Sequence, residues 1–291
     1  MRKIPLKWIV LFLAPVVFMF SFQYIIPLFI VVITSFTDYR MTRSGISFAG
    51  LNNYIRLFTA DKTFFIALKN TLAWMFLHVF FHVAIGVFLA LILSKKPRGW
   101  KFVRTVYMAP NIIASSAVGL IFMQIFHVEY GLVNKFLEYI GLDALTRNWL
   151  FDTRTAFFSL TMVWFLFAGY TCTLVLARIL SLPGEMFEAA TIEGASSLQI
   201  DFYITLPLVK DTVATTMVMA AAYMLTMFPL IYVTTNGGPG VLTTNLPLYL
   251  YKTAMLESNF GYANTIGVVI IFIGILSMQI INRVMKTNQE Q

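Results

Sequence analysis

His78 and His82 stand four residues apart in a stretch without Asp, Glu, Lys or Arg, so a helix would place both imidazoles on one face, a spacing that can chelate a metal ion. No third ligand is visible beside them, and the more economical reading is polar contact between helices. Other chemistry is thinner still. The chain has no G-x-S-x-G, no H-E-x-x-H and no paired acids within an apolar run, which leaves a hydrolase or transferase little to stand on. It also lacks G-x-x-x-x-G-K-[ST], so it has no P-loop route to ATP hydrolysis. An enzyme is not expected, nor a cofactor bound by this chain. Energy for any uphill work must come from another subunit.

A different chemistry, that of docking, is legible between Arg178 and Pro207. Pro183 can start a helix, and Glu185 and Glu188 then lie in its first turns, where the helix dipole favours acids. Phe187, Ala190, Thr191 and Gly194 fall at i, i+3, i+4 and i+7, a narrow stripe of small residues beside an aromatic. Such a stripe suits a groove on another protein; a surface helix lying on a membrane is the other reading. Gly194 permits a sharp turn, and Pro207 closes the segment.

The elements that must carry this loop are set by where charge is missing. Hydrophobic residues make up 59% of the 291 and charged residues 12%, about half the usual share, too few to cover a soluble fold. Asp, Glu, Lys and Arg are absent from 8–37, 70–94, 105–128, 155–177, 212–251 and 258–282. Each run exceeds the ~20 residues a helix needs to cross hydrocarbon. The fifth is too long for one span, and Asn236-Gly237-Gly238-Pro239-Gly240 breaks it. The expected fold is all-α and integral to the membrane, a single domain over 1–291. Its six spans are placed at about 8–36, 70–94, 105–127, 155–178, 212–233 and 260–282. The lone Cys172 lies within the fourth and reads as a packing residue.

Basic residues orient the spans. Arg2, Lys3, Lys7, Lys95, Lys96, Arg98, Lys101, Arg104, Arg178, Lys210, Arg283 and Lys286, a modest majority of the 21, flank one side and predict both termini in the cytoplasm. The segment 179–210 is then a cytoplasmic loop. The N-terminal apolar run is too long for a signal-peptide core and is expected to stay attached as a helix. A formal charge of +8 fits contact with anionic lipid; no basic stripe for nucleic acid is visible. Ion-coupled transporters and pumps keep ionisable groups inside the membrane, and here only His78, His82 and His127 lie in the spans. A proton-driven cycle is disfavoured and an uncharged substrate favoured.

Glu188-Ala189-Ala190, Gly194 six residues after Glu188, and Ile204-Thr205-Leu206-Pro207 match the EAA loop of binding-protein-dependent ABC importer permeases. Leu182-Pro183, Phe187, Thr235-Asn236-Gly237-Gly238-Pro239 and Gly261-Tyr262-Ala263 resemble the carbohydrate, maltose-type branch, and the likeness runs from about residue 8 to the end. Two positions depart from the pattern: Glu193, where the family usually has Asp, and Asp211, where Pro is common.

The resemblance implies a type I ABC importer permease fold in a bacterial or archaeal cell membrane. It implies a second permease subunit in a heterodimer, two ATPase subunits that bind ATP and Mg, and an extracytoplasmic sugar-binding protein. Glu188, Ala189, Ala190 and Gly194 would form the coupling helix that sits in a cleft of an ATPase subunit. Two aromatic sugar-contact positions fall on Tyr170 and Tyr223. Neighbouring contact positions become Phe167 and Met224, and a third becomes Ala220, so the site differs from the maltose pattern. The implied function is import of a sugar or oligosaccharide by alternating access. The rivals are a permease for a phosphorylated polyol such as a glycerol phosphate, whose substrate would require Arg or Lys along the pathway, and a non-transporting membrane scaffold or enzyme.

Overall fold

The computed structural model describes residues 6–43, 45–165 and 167–285; Arg2, Lys3 and Lys286 lie outside the described residues. Within these the chain is helical, with two isolated bridges and no strand. Five helices are long and apolar enough to cross a membrane: α1 (Val10–Ser35), α2 (Lys62–Ser94), α5 (Ala156–Leu180), α7 (Lys210–Thr234) and α8 (Phe260–Met285). Between α2 and α5 lie α3 (Trp100–Ile112) and α4 (Ser115–Ile125), and between α5 and α7 lies the short α6 (Gly184–Ile192).

The charge-free run 105–128 does not make one straight span. Ile113 and Ala114 are extended (ψ 138° and 134°), and α3 and α4 meet at 103°. Pro110 lies in the last turn of α3, where its missing N–H weakens the helix before the break. The pair counts as a sixth crossing only if taken as one broken span. Composition registers apolar length, not the extended dipeptide that bends it.

The chain packs as two units. One comprises the described residues up to Phe64 with Tyr249–Ile271. Here Asp61 gathers three donors: its Oδ1 accepts the Phe64 N–H (2.9 Å), and its Oδ2 accepts the hydroxyls of Tyr262 (2.5 Å) and Tyr249. The Arg56 guanidinium lies 4.5 Å from the Tyr262 ring centroid. Burial, then the Asp61 carboxylate, raises the Tyr249 phenol well above its ordinary pKa. Most of α1 is exposed, with Phe12, Phe18 and Met19 among its bare apolar side chains, as a helix facing lipid or another subunit requires.

The other unit comprises Phe65–Leu248 with the described residues from Phe272. Ala90 and Leu93 of α2 meet Cys172, Val175, Leu176 and Ile179 of α5, with Val209 completing the cluster. Cys172 is thus a core residue. Towards the start of the same helix pair, Trp74 stacks on Phe157 (4.8 Å, 3°) and donates Nε1–H to Thr161 Oγ1 (2.8 Å). A Cβ at Gly169 would stand 2.0 Å from Tyr107 O, so the approach of α3 to α5 depends on glycine.

The segment after α7 is a hydrogen-bonded knot. Asn70 donates to both Leu242 O and Thr244 O (2.8 Å each), Thr71 Oγ1 accepts the Leu246 N–H, and Thr235 and Thr243 share a hydroxyl bond of 2.7 Å. Thr243, Thr244 and Asn245 are buried, while Asn236 and Gly240 remain exposed. The turn read from Asn236 to Gly240 is therefore anchored from both sides.

Candidate substrate cavity and coupling helix

Two breaks in otherwise apolar helices shape the second unit's cavity. In α5 the helix is interrupted ahead of Ala168, and in α7 at Met227 (ψ 85°), just before Pro229. A broken helix leaves carbonyls that must find donors inside a membrane protein. His82 Nδ1–H donates to Phe165 O (2.9 Å), Asn111 Nδ2 to Phe167 O (3.2 Å), and Asn245 Nδ2 to Met227 O (2.6 Å). The bond to a carbonyl fixes His82 as the Nδ1–H tautomer.

The resulting cavity, about 460 Å³, is walled by α2, α3, α4, α5 and α7. Its lining is aromatic: Trp164, Phe167, Tyr170 and Tyr223 provide ring faces, and among the described residues no Asp, Glu, Lys or Arg takes part. Tyr170 and Tyr223 are each about two-fifths exposed (42% and 41%), so their rings are accessible to a ligand. Tyr170 donates weakly to Met219 Sδ at 3.8 Å. Ala220 also lines the wall, but Met224 does not; it is 1% exposed, turned into the core. Of the four residues placed on the substrate pathway, three thus share one cavity and Met224 stands outside it.

His78 and His82 lie together in a π-helical stretch of α2, Leu77–His82, with ring centroids 4.1 Å apart. Their common face was legible in the sequence; the π turn was not. Among the described residues no group of three His, Cys, Asp or Glu side chains could hold a metal. Trp164 stacks on His78 (5.0 Å, 9°), and Tyr223 meets His78 edge-on at 5.4 Å. Nothing in the sequence singled out Trp164 or Asn111, because each sits in a run that reads simply as apolar helix.

The second site is α6. Pro183 is its N-cap, Glu185 lies in its first turn, and Gly194 ends it at φ +81°. The Gly194 N–H donates to Thr191 O and the Ala195 N–H to Ala190 O, both 3.0 Å, the paired bonds of a Schellman stop. Ser196 and Gln199 then form a reciprocal capping box that starts the next turn. Glu188 and Ala189 are exposed, Ala190 is half-buried, and Ile192 is 85% exposed. Phe187, Glu188, Thr191 and Ile192 border a shallow depression.

The chain is similar to known proteins in sequence and in fold. Residues 82–288 match the model of the family described as binding-protein-dependent transport system inner membrane component. The probable ABC transporter permease protein YurN of Bacillus subtilis is 35% identical over 97% of each chain. The sulfoquinovosyl glycerol transport system permease protein SmoG of Agrobacterium fabrum is 30% identical, covering 96% of this chain and 90% of its own. In fold, the chain matches a chain of a bacterial ABC transporter involved in the import of the acidic polysaccharide alginate, with TM-score 0.81, 21% identity and 99% of each chain covered. The chain therefore belongs to the binding-protein-dependent transport system inner membrane components, as a multi-pass membrane permease with the fold of a type I ABC importer subunit.

Proposed function

We propose that this chain is the permease subunit of an ATP-driven importer of a neutral sugar or oligosaccharide. The observation that carries the reading is the cavity lined by Tyr170, Tyr223, Trp164 and Phe167 without a charged side chain. Sugars are held by hydrogen bonds to hydroxyls and by aromatic faces on their C–H patches, and they need no counter-charge. The names of other relatives support a sugar of this class: a Streptococcus mutans relative, 31% identical over 91% of each chain, is a multiple sugar-binding transport system permease, and a Bacillus subtilis relative, 30% identical over 90% of this chain, is an arabinooligosaccharides transport system permease.

In this reading both termini are cytoplasmic and α6 is the coupling helix, with Glu188, Ala189, Ala190 and Gly194 seated in a cleft of an ATPase subunit. Two such ATPases, a second permease and an extracytoplasmic binding protein complete the machine, and this chain hydrolyses nothing itself. ATP closure of the ATPases biases the permeases between two states of access. The exposed helix tip at Ile192 and its Schellman stop support a rigid docking element. The test is ATPase activity of the reconstituted complex with its binding protein across a panel of sugars. Stimulation by at least one neutral sugar is expected. A complex that copurifies with ATPases yet responds only to phosphorylated polyols would refute the neutral-sugar reading.

A further inference from the structure

Some polar atoms on the cavity wall are spent on the protein, and two buried ones have nothing to bond. His82 Nδ1, Asn111 Nδ2 and Thr216 Oγ1 are spent on backbone carbonyls. His78 Nδ1 and Trp164 Nε1 are not: their side chains are 7% and 5% exposed, and neither atom has a hydrogen-bond partner. Buried polar atoms without partners are rare in folded proteins, and these two belong to rings stacked 5.0 Å apart on the wall of one cavity. His78 lies in the π turn Leu77–His82, and such turns are frequent at functional sites.

We infer that His78 and Trp164 recognise hydroxyl groups of the transported molecule, a role that rests on the neutral-sugar reading above. Indole N–H only donates, while a neutral imidazole offers one donor and one acceptor. A hydroxyl both donates and accepts, so it can satisfy either atom in either tautomer. An anionic ligand would lack a cation and a cationic one a carboxylate, since the lining holds no Lys, Arg, Asp or Glu. His82, locked by Phe165 O, buttresses the His78 ring at 4.1 Å between centroids. Tyr223, edge-on to His78, sets an aromatic face beside the pair. Stacking and hydroxyl recognition thus meet on the α2 and α5 side of the cavity.

The test uses the full complex in proteoliposomes with its ATPases and binding protein. Uptake of radiolabelled glucose, maltose, trehalose, sucrose and raffinose is measured for wild type, Trp164→Phe, His78→Phe and His78→Gln, per assembled complex. Trp164→Phe keeps an aromatic ring and removes the N–H; His78→Gln keeps a donor and an acceptor. For a sugar that wild type carries, Trp164→Phe and His78→Phe are expected to lose about tenfold each, the scale of one hydrogen bond, with His78→Gln recovering to within about threefold of wild type. Uptake within about twofold of wild type in both Phe variants overturns the inference, as does equal loss in His78→Phe and His78→Gln. If His78→Phe fails to assemble, Trp164→Phe decides alone. If wild type carries none of these sugars, the neutral-sugar reading fails and the inference with it; loss of the inference alone requires wild-type uptake that the substitutions leave intact.

Discussion

Lys95 Nζ lies 2.5 Å from Asp201 Oδ2, joining the end of α2 to the helical turn that follows the capping box after α6. The Asp201 side chain is 11% exposed and that of Lys95 45%, so the pair is partly in solvent, with a stability contribution of about 1 kcal/mol or less. Its position matters more than its strength. It is an ionic link between the segment carrying the proposed coupling helix and the helix that supplies His78 and His82 to the cavity.

Asp201→Ala is therefore expected to leave expression and fold intact but to reduce substrate uptake per ATP hydrolysed by up to about fivefold. The charge-swapped pair Lys95→Asp with Asp201→Lys should restore much of the loss. Unchanged stoichiometry of transport to hydrolysis in Asp201→Ala would show that the link plays no part in coupling.

Gly194 has open space where a side chain would go, so a substitution there acts through the backbone. At φ +81° an L-residue costs about 1–2 kcal/mol, and Gly194→Asp also puts a new charge on the proposed docking face. The variant should insert in the membrane, lose transport and copurify with much less ATPase subunit. Gly194→Asn, better tolerated in the left-handed region, should retain more of both. Normal uptake in Gly194→Asp would remove α6 as the coupling helix.

At Gly169 the constraint is steric. A methyl group would meet Tyr107 O at 2.0 Å, and backbone must move to admit it. Gly169→Ala is expected to destabilise the protein by about 1–3 kcal/mol, read as a lower unfolding temperature in detergent. A melting temperature equal to wild type would show that α3 does not approach α5 this closely.

The Tyr249 phenol, held protonated by burial and by its bond to Asp61, gives a pH signature. Its folded pKa is raised above the ordinary value of 10, so its contribution is complete below about pH 10 and is lost as pH rises through the folded value. Stability of wild type should fall on the alkaline side of pH 10, and Tyr249→Phe should flatten that fall. Identical alkaline profiles for the two proteins would exclude Tyr249 as the titrating group.

Tyr170 and Tyr223 offer their rings to the cavity. Replacing either with Ala should cut uptake by about tenfold or more, with Phe milder because it keeps the aromatic face. Comparable losses in the Phe and Ala variants would point to the hydroxyls instead.

The sequence by itself determined the class of molecule and the place of its short loop helix. Charge-free runs locate apolar helices because hydrocarbon excludes ionised groups at almost any position along a span. Pro183, Glu185 and Gly194 locate α6 because helix starts and stops are local, settled by φ values and by hydrogen bonds a few residues apart. The tertiary structure alone decided how those helices break and what their breaks expose. The bend at Ile113 and Ala114, the interruption ahead of Ala168 and the π turn at His78 leave little trace in composition. The break in α5 persists because side chains distant in sequence, Asn111 and His82, bond its freed carbonyls. Likewise Tyr170, Tyr223 and Trp164 become one site, and Met224 a core residue, only when α2, α5 and α7 pack. An aromatic in an apolar helix reads the same whether it faces lipid, core or cavity. Packing assigns the face, since it alone brings together atoms that the chain keeps far apart.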